Sequence, residues 1–484
     1  MTVASTDIKF RKSVEQTDIA SNGGRKGITE IVSGVRHALF PRVTASQLAA
    51  GLIRHRKMFY SNENASDESA YGVMFYLFRP STAGDRFYIA KGTQTDIQSA
   101  FARKSDISTY AATRYARTWC GVGQLQTALS GSETSVALTM EAADFEFPNG
   151  GYLYLSNNTM ASQTIATGVN IGDSVTYAAG SWSKITHTTD INYPNGWYMG
   201  SNEVLTIQST TNVEFLEIAT NQYTDEDIGD GDGSDTAPEL ATLIHITNGI
   251  CRQSGLLPVV TATCGSTTRT VNVAADGSCS GYCSAGTLNM ATGVWTTDIT
   301  WTTAPDNSTD ITITYCENAY SYSGNVATVE LVDQVANAYT TATTFGCGCI
   351  YEDEIKCVNG AWTITSSAGT YDKTTYPLIM YNDGTVEETW TRTFTSASAF
   401  TVSGAYYGSV GTGTIGGDFS PINPDTGQPY FTISAAGHGG TWSSGDSDVF
   451  TTSPSAMGII VCQEVPTGTT AESNNALPYG SMTE

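Results

Sequence analysis

The chain has 484 residues, of which only 14% are charged, together with 48 glycines and 25 tyrosines, a balance suited to β-sheets joined by tight turns rather than to helices. Its formal charge of −24 is divided unevenly, since residues 1–120 hold 17 Lys+Arg against 10 Asp+Glu and residues 121–484 hold 6 against 37. Binding to nucleic acid requires a basic surface that neutralises phosphates, which the acidic three-quarters excludes there and which only the first 120 residues could offer.

At about 100–200 residues per domain, this length implies three or four cores. The expected fold class is mainly β: several antiparallel, hairpin-rich, sandwich or barrel-like domains, with a few short helices in the N-terminal part. The opening "MTVASTDIKFRK" places Asp7, Lys9, Arg11 and Lys12 where a signal peptide would be apolar, so synthesis and folding in a cytosol are expected. The longest apolar run, "AMGIIVC" (456–462), is far short of the roughly 20 residues that span a bilayer, and no membrane partner is expected.

In chain order, 1–120 reads as a basic N-terminal region for assembly. Within it "TASQLAAGLIRHRKMF" (44–59) contains a short helix capped by Thr44 or Ser46, with Leu48, Leu52 and Ile53 on one side and Gly51 counting against it, and "GTQTDIQSAFARKSD" (92–106) reads as a second short one, with Ile97 and Phe101 four apart. From about residue 133 the period becomes two. A β domain is expected over 121–223, with strands around Asn149 and Gly150 forming a hairpin, a device repeated in "PNGWY" (194–198) and at Asn382, Asp383 and Gly384. The acidic stretch 224–238 reads as a Gly-rich linker. A Cys-rich β domain (239–358) follows, with one helix at "TVELVDQVANAY" (328–339), then a C-terminal β domain (359–463) and a polar tail (464–484).

The cysteines and carboxylates raise metal questions. Eight of the ten cysteines lie between 251 and 357. A metal site would use Cys279 and Cys283 with Cys347 and Cys349; the other readings are disulfides formed late, in an oxidising medium, and ordinary small buried residues. Asp225, Glu226, Asp227, Asp230, Asp232 and Asp235 could surround Ca²⁺, but their order does not fit a calcium loop and a solvated linker is the plainer reading. No metal and no cofactor is expected.

Catalytic signals are weak. Gly411, Gly413 and Gly416 satisfy G-x-G-x-x-G, yet prolines rather than a helix follow, so no pyrophosphate site is expected. His37, His55, His187, His245 and His438 are scattered, and Glu352 with Glu354 reads as a solvated strand face. No catalytic residue is assigned and no enzyme is expected. Trp182, Trp197, Trp295, Trp301, Trp390 and Trp442 would stack on sugars if exposed, or fill cores if not.

Two ends of the chain carry a resemblance. "TVEETWTRTFTSASAFTVSGAYYGSVGTGTIGGDFSPINPDTGQPYFTISAAGHGGTWSSGDSDVFTTSPSA" (385–456) and "VPTGTTAESNN" (465–475), with "DIKFRKSVEQTDIASNGGR" (7–25), "GVRHALFPRVTASQLAAGLIRHRKMFY" (34–60) and "GTQTD" (92–96), resemble virion structural proteins of tailed bacteriophages, particularly Mu-like phages and related prophages. In the middle, "GTLNMATGVWTTDITWTTAPDNSTDITITY" (286–315) resembles a strand–turn–strand unit of phage baseplate and tail proteins, with Thr292 and Gly293 turning the chain and Trp295, Ile299 and Trp301 on one face. The many cysteines depart from that pattern. The resemblance implies a structural component of the tail, tail tip or baseplate, located in the virion after synthesis in the host cytoplasm. Its implied partners are copies of itself and other phage virion proteins. The alternative is an adhesin or receptor-binding module that grips host surface polysaccharide.

Overall fold

The computed structural model describes residues 3–32, 35, 37–81, 83–101, 117–164, 174–175, 185–186, 204–471, 477 and 479–483, with side chains left aside between 158 and 211. These residues are mainly β, with one α-helix, several antiparallel sheets and no closed barrel. At the centre lies a five-stranded antiparallel sheet in the order Gly23–Glu30, Ile8–Glu15, Leu52–Asn62, Ala456–Val465, Arg86–Gly92. Both of its faces are covered. Because side chains alternate along a strand, Met58, Tyr60, Ile89, Ile459 and Val461 enter one core with Val73, Phe75 and Ile350, while Tyr88, Ala90, Ile460 and Cys462 enter another with Leu138, Leu153 and Val329. A strand buried on both sides reads as a continuous apolar run, which explains "AMGIIVC".

The second core is closed by a seven-stranded sheet containing Val204–Glu217, Tyr152–Thr164, Phe345–Gly348, Val122–Leu125, Ser135–Met140, Val326–Glu330 and Tyr320–Ser323. The first is closed by three strands, Ile350–Ile355, Ala70–Leu77 and Tyr479–Met482. Together these sheets form a base drawn from the beginning, middle and end of the sequence.

Two compact units are inserted into it. One runs from Asn221 to Glu317, which pair with each other, and its core (Ile228, Val260, Val271, Trp295, Ile299, Trp301, Ile313) comes entirely from within that span. The other runs from Val358 to Ser453, also paired, around Trp362, Trp390, Phe400, Phe431, Trp442 and Phe450. Each insert thus leaves and rejoins the base on neighbouring strands. In the first, Gly293 turns the chain at φ 70 and Trp295, Ile299 and Trp301 are buried together, as the strand–turn–strand reading expects.

These cores divide the chain differently from its composition. The stretch 224–238 is no linker, since Asn221–Asp230 is a strand, bulged between Tyr223 and Glu226 and between Asp227 and Gly229, that pairs with Asp310–Glu317. Nor does a domain end at 463: Ala456–Val465 belongs to the central sheet with residues from the first hundred. The polar tail supplies a strand as well, Tyr479–Met482 against Ala70–Leu77.

Four local expectations are corrected for physical reasons. The helix expected within 44–59 is confined to Ala45–Ala50, capped by Thr44, and Gly51 at φ 81 ends it before the strand Leu52–Asn62. In 92–106 the described part holds a single 3-10 turn, Gln98–Ala100, and residues 102–106 lie outside the described residues. The helix expected over 328–339 is absent because Val329 and Leu331, two apart, are both buried and the ladder Val326–Glu330 with Ser135–Thr139 sets a period of two. Asn149 and Gly150 do not join partner strands, since Ser135–Met140 pairs with Val326–Glu330 and Tyr152–Thr164 with Val204–Glu217. Asn149 instead donates to Glu317 O (2.6 Å) and accepts from Ala319 N–H (3.2 Å), pinning the return of the first insert. "PNGWY" lies outside the described residues.

Candidate functional site

Ionisable groups gather at three places in the fold. The first is the edge of the central sheet, where Arg86 and Tyr88 stand opposite Glu464 and Cys462. The Tyr88 hydroxyl lies 3.0 Å from Asp144 Oδ1 and 3.0 Å from Glu464 Oε2, and Arg86 Nη1 is 3.4 Å from Glu464 Oε1. Glu141, on the same connecting segment as Asp144, is pushed up to about 7 by burial and then by the charges of Asp85 and Glu464, with Arg86 opposing. A carboxyl with such a value beside other carboxyls is the pattern of an acid/base site. Glycoside cleavage, however, requires open space between two carboxyls, and here the Tyr88 hydroxyl fills it. The arrangement fastens the segment 141–147 to the sheet edge.

That fastening gives a pH dependence with a definite sign. Glu141 holds its proton more tightly in the folded chain than at its ordinary 4.5, so its contribution is full below about pH 4.5 and is lost as pH rises through about 7. Glu141→Gln, which keeps the shape and removes the charge, is expected to stabilise the protein above pH 7 by about 1–2 kcal/mol after allowance for solvent screening. At pH 4.5 it should change little. Thermal melts of both proteins across this range check it; an equal effect at both ends would contradict the assignment.

The second place is the core of the second insert. Arg392 and Asp448 are directly opposite on neighbouring strands, fully buried, and joined by two bonds, Nε to Oδ1 at 3.1 Å and Nη2 to Oδ2 at 2.5 Å. The guanidinium is enclosed by the rings of Tyr371, Phe394, Phe400 and Trp442 at 5.0–5.5 Å. Its Nη1 lies 2.7 Å from His438 Nε2. Since a guanidinium only donates, His438 Nε2 accepts and its Nδ1–H donates to Ala435 O at 3.1 Å, which fixes a neutral tautomer. Burial, and then Arg392, push the His438 imidazole below its ordinary value. The glycines around it make room: a Cβ on Gly437 would come within 2.4 Å of the Tyr371 ring, and one on Gly369 within 2.3 Å of Trp442. The Asp–Arg–His row holds strands together, with Arg392 and Asp448 enclosed by aromatic rings and His438 half-buried at its end.

The central strand contains a comparable set. Arg54, His55, Arg56 and Lys57 are all nearly inaccessible. Arg54 donates to Gln463 Oε1, Arg56 to Asp18 and to Thr17 O, and Lys57 to Gly24 O at 2.7 Å. Burial lowers the Lys57 ammonium to about 7, against the opposing charge of Asp96. Other cations of the first 120 residues are also engaged within the chain: Arg11 with Glu63, Arg117 with Asp96, Lys91 with Glu352, and Arg25 with Glu387 O and the Tyr406 ring. Many cations of the basic region are thus engaged within that region, while Lys91 and Arg25 reach the acidic part of the chain.

The residues singled out in the sequence are scattered. Cys279 and Cys283 belong to the first insert, whereas Cys347 and Cys349 belong to the base. All ten cysteines are free thiols, and burial pushes those of Cys279 and Cys347 up to about 12. Among the described residues no three His, Cys, Asp or Glu side chains converge as metal ligands. The carboxylates of 224–238 accept from turn amides instead, Asp232 from Ser234 and Asp235 N–H and Asp227 from Gly229 N–H. Gly413 sits on a strand where a Cβ would come within 2.6 Å of the Phe400 ring, so packing requires a glycine there, whereas a Cβ on Gly416 would meet nothing. Glu354 pairs with Lys356 at the surface. His245 stacks on Tyr223 at 4.4 Å, and His55 packs against Phe101 and Trp119. Trp295, Trp301, Trp390 and Trp442 are buried, while Trp182, Trp197 and His187 lie outside the described residues. A small, partly open pocket between base and first insert, bounded by Arg117, Glu146, Cys251, Arg252 and Tyr320, measures about 20 Å³, room for a single water.

Against known proteins, the chain matches no family model, no curated protein and no solved structure.

Proposed function

We propose that the chain is a structural component of a tailed-bacteriophage virion, belonging to the tail or to its tip or baseplate, and that it assembles through repeated subunit contacts. One observation carries the reading furthest: the separate stretches that resemble such proteins are neighbours in space. The stretch 7–25 lies against 34–60 as partner strands, Arg25 reaches Glu387 O and the Tyr406 ring in 385–456, and Gln94 in 92–96 donates to Ala456 O. Resembling segments thus build one continuous body, with the more divergent first insert projecting from it. The polar clusters support the same reading, since each ties structural elements together. A glycan-gripping surface finds less support, because the six described tryptophans are all buried.

Residues 1–60 contribute three of the five strands of the central sheet, so deleting them would destroy the base rather than unplug an anchor. The reading is better tested with the intact chain. Quantitative mass spectrometry of purified particles, from a host that carries the gene, should find this protein at a fixed number of copies relative to the other tail proteins. Recovery only in the particle-free lysate would refute the proposal and favour the adhesin.

A further inference from the structure

The strand Tyr479–Met482 occupies a groove that it does not itself build. It pairs with Ala70–Leu77, Tyr479 opposite Leu77 and Met482 opposite Met74, and the other edge of that strand is taken by Ile350–Ile355. Tyr479 inserts between Phe10 and Phe75, with ring centroids at 5.0 and 5.3 Å, and Leu477 packs into the same core. Beyond the strand, Thr483 meets the Tyr60 hydroxyl. On the opposite face Met482 packs beside Met74 and Cys349, and Gly480 lies so close to the Tyr76 ring that a Cβ would come within 2.9 Å of it. The groove therefore selects its occupant by an aromatic anchor on one side and by a missing side chain on the other, the logic of strand addition to a sheet edge.

The ladder covers only four residues, and every wall of the groove comes from elsewhere in the chain. Identical copies offer identical strands, so a neighbour's strand fits as well as the chain's own, and local concentration decides between them. We infer that the groove beside Ala70–Leu77 is a strand-exchange site which, in an assembly, takes residues 479–482 of a second copy of this chain. The inference rests on the reading of a copy-repeated component.

Trapping the strand in the full-length chain tests it. Met74→Cys and Met482→Cys place two thiols directly opposite; a Cys349→Ser background removes the thiol that packs beside Met74. Oxidation in dilute solution should yield an internally bridged monomer. Oxidation in concentrated solution or in particles should yield covalent multimers, which a further Gly480→Val change suppresses at least about tenfold by weakening strand docking by 1.4 kcal/mol or more. Monomer alone at every concentration, or no bridge at all, overturns the inference. As a check without engineered thiols, native mass spectrometry should show self-association of the original chain that Gly480→Val reduces to a similar degree; equal association of the two overturns it too. Multimers in solution with no protein in particles would leave the exchange site standing while the virion reading fell.

Discussion

A chain that stops at Ser455 will not fold its N-terminal half. The strand Ala456–Val465 stands between Leu52–Asn62 and Arg86–Gly92, bonded to both, and nine of its ten residues are buried. Its Ile459, Ile460 and Val461 side chains are inaccessible, and burying each contributes about 1.5–3 kcal/mol. Losing the strand also opens two sheet edges inside the molecule, where unpaired backbone groups are costly. The contrasting deletion should be tolerated. Val358 and Ser453 are partners on adjacent strands, so a short Gly-Ser link between them removes 359–452 with little loop-closure cost. The account predicts an insoluble or unfolded product from the truncation and a soluble, cooperatively melting one from the excision, read by circular dichroism and thermal melts. A well-folded truncated chain would show that 456–465 does not belong to the central sheet.

The second large effect concerns Arg392. Replacing it with Ala leaves Asp448 buried without its cation and His438 without its donor, and breaking a buried pair in this way costs about 3–5 kcal/mol. Because the core of the second insert lies wholly within 362–450, that unit should lose its structure first. Removing both charges is different: Arg392→Met with Asp448→Leu fills the aromatic box with apolar atoms and should recover most of the loss, as paired replacements of buried ion pairs often do. Denaturant titrations of the two variants and the original decide it. If Arg392→Ala were as stable as the original, the ion pair would contribute nothing and the enclosure by four rings would be sufficient.

The pattern of Trp390, Arg392 and Phe394 shows what was legible in the sequence. Alternation in "ETWTRTF" marks these three as sharing one face, so the arginine is aligned with the core by parity alone; its partner Asp448 lies over fifty residues away and nothing local announces it. The same limit applies at Tyr88, whose neighbours Asp144 and Glu464 come from distant segments. Strand character, tight turns such as the one at Gly293, and the buried tryptophan face of the first insert could all be read because each is a short-range property. Among the domain boundaries only the expected start at 359 coincides with a structural one, Val358, where the second insert begins. Composition changes at 224–238 and after 463, but the ladders cross both places, since pairing is decided by which distant strand completes a buried sheet. The helix read within 44–59 stops short of Leu52 and Ile53 for a related reason: a strand covered on both faces, carrying Arg54, Arg56 and Lys57 into interior bonds, shows neither the alternation of a surface strand nor a true helical stripe.

Some of the chain's opposite charges meet within the chain itself. Opposite net charges on two parts of a chain steer association between molecules when they are exposed. Here Arg25, Lys91 and Arg86 reach Glu387 O, Glu352 and Glu464 of the same chain. These contacts tie residues of the first hundred to segments more than two hundred positions later in the sequence.

Immunogold labelling of intact particles, viewed by electron microscopy, addresses the proposed role most directly. The account predicts gold at one defined position on the tail or its tip, the same on every particle; particles that carry no label, with the protein found free or on cell surfaces, would contradict it.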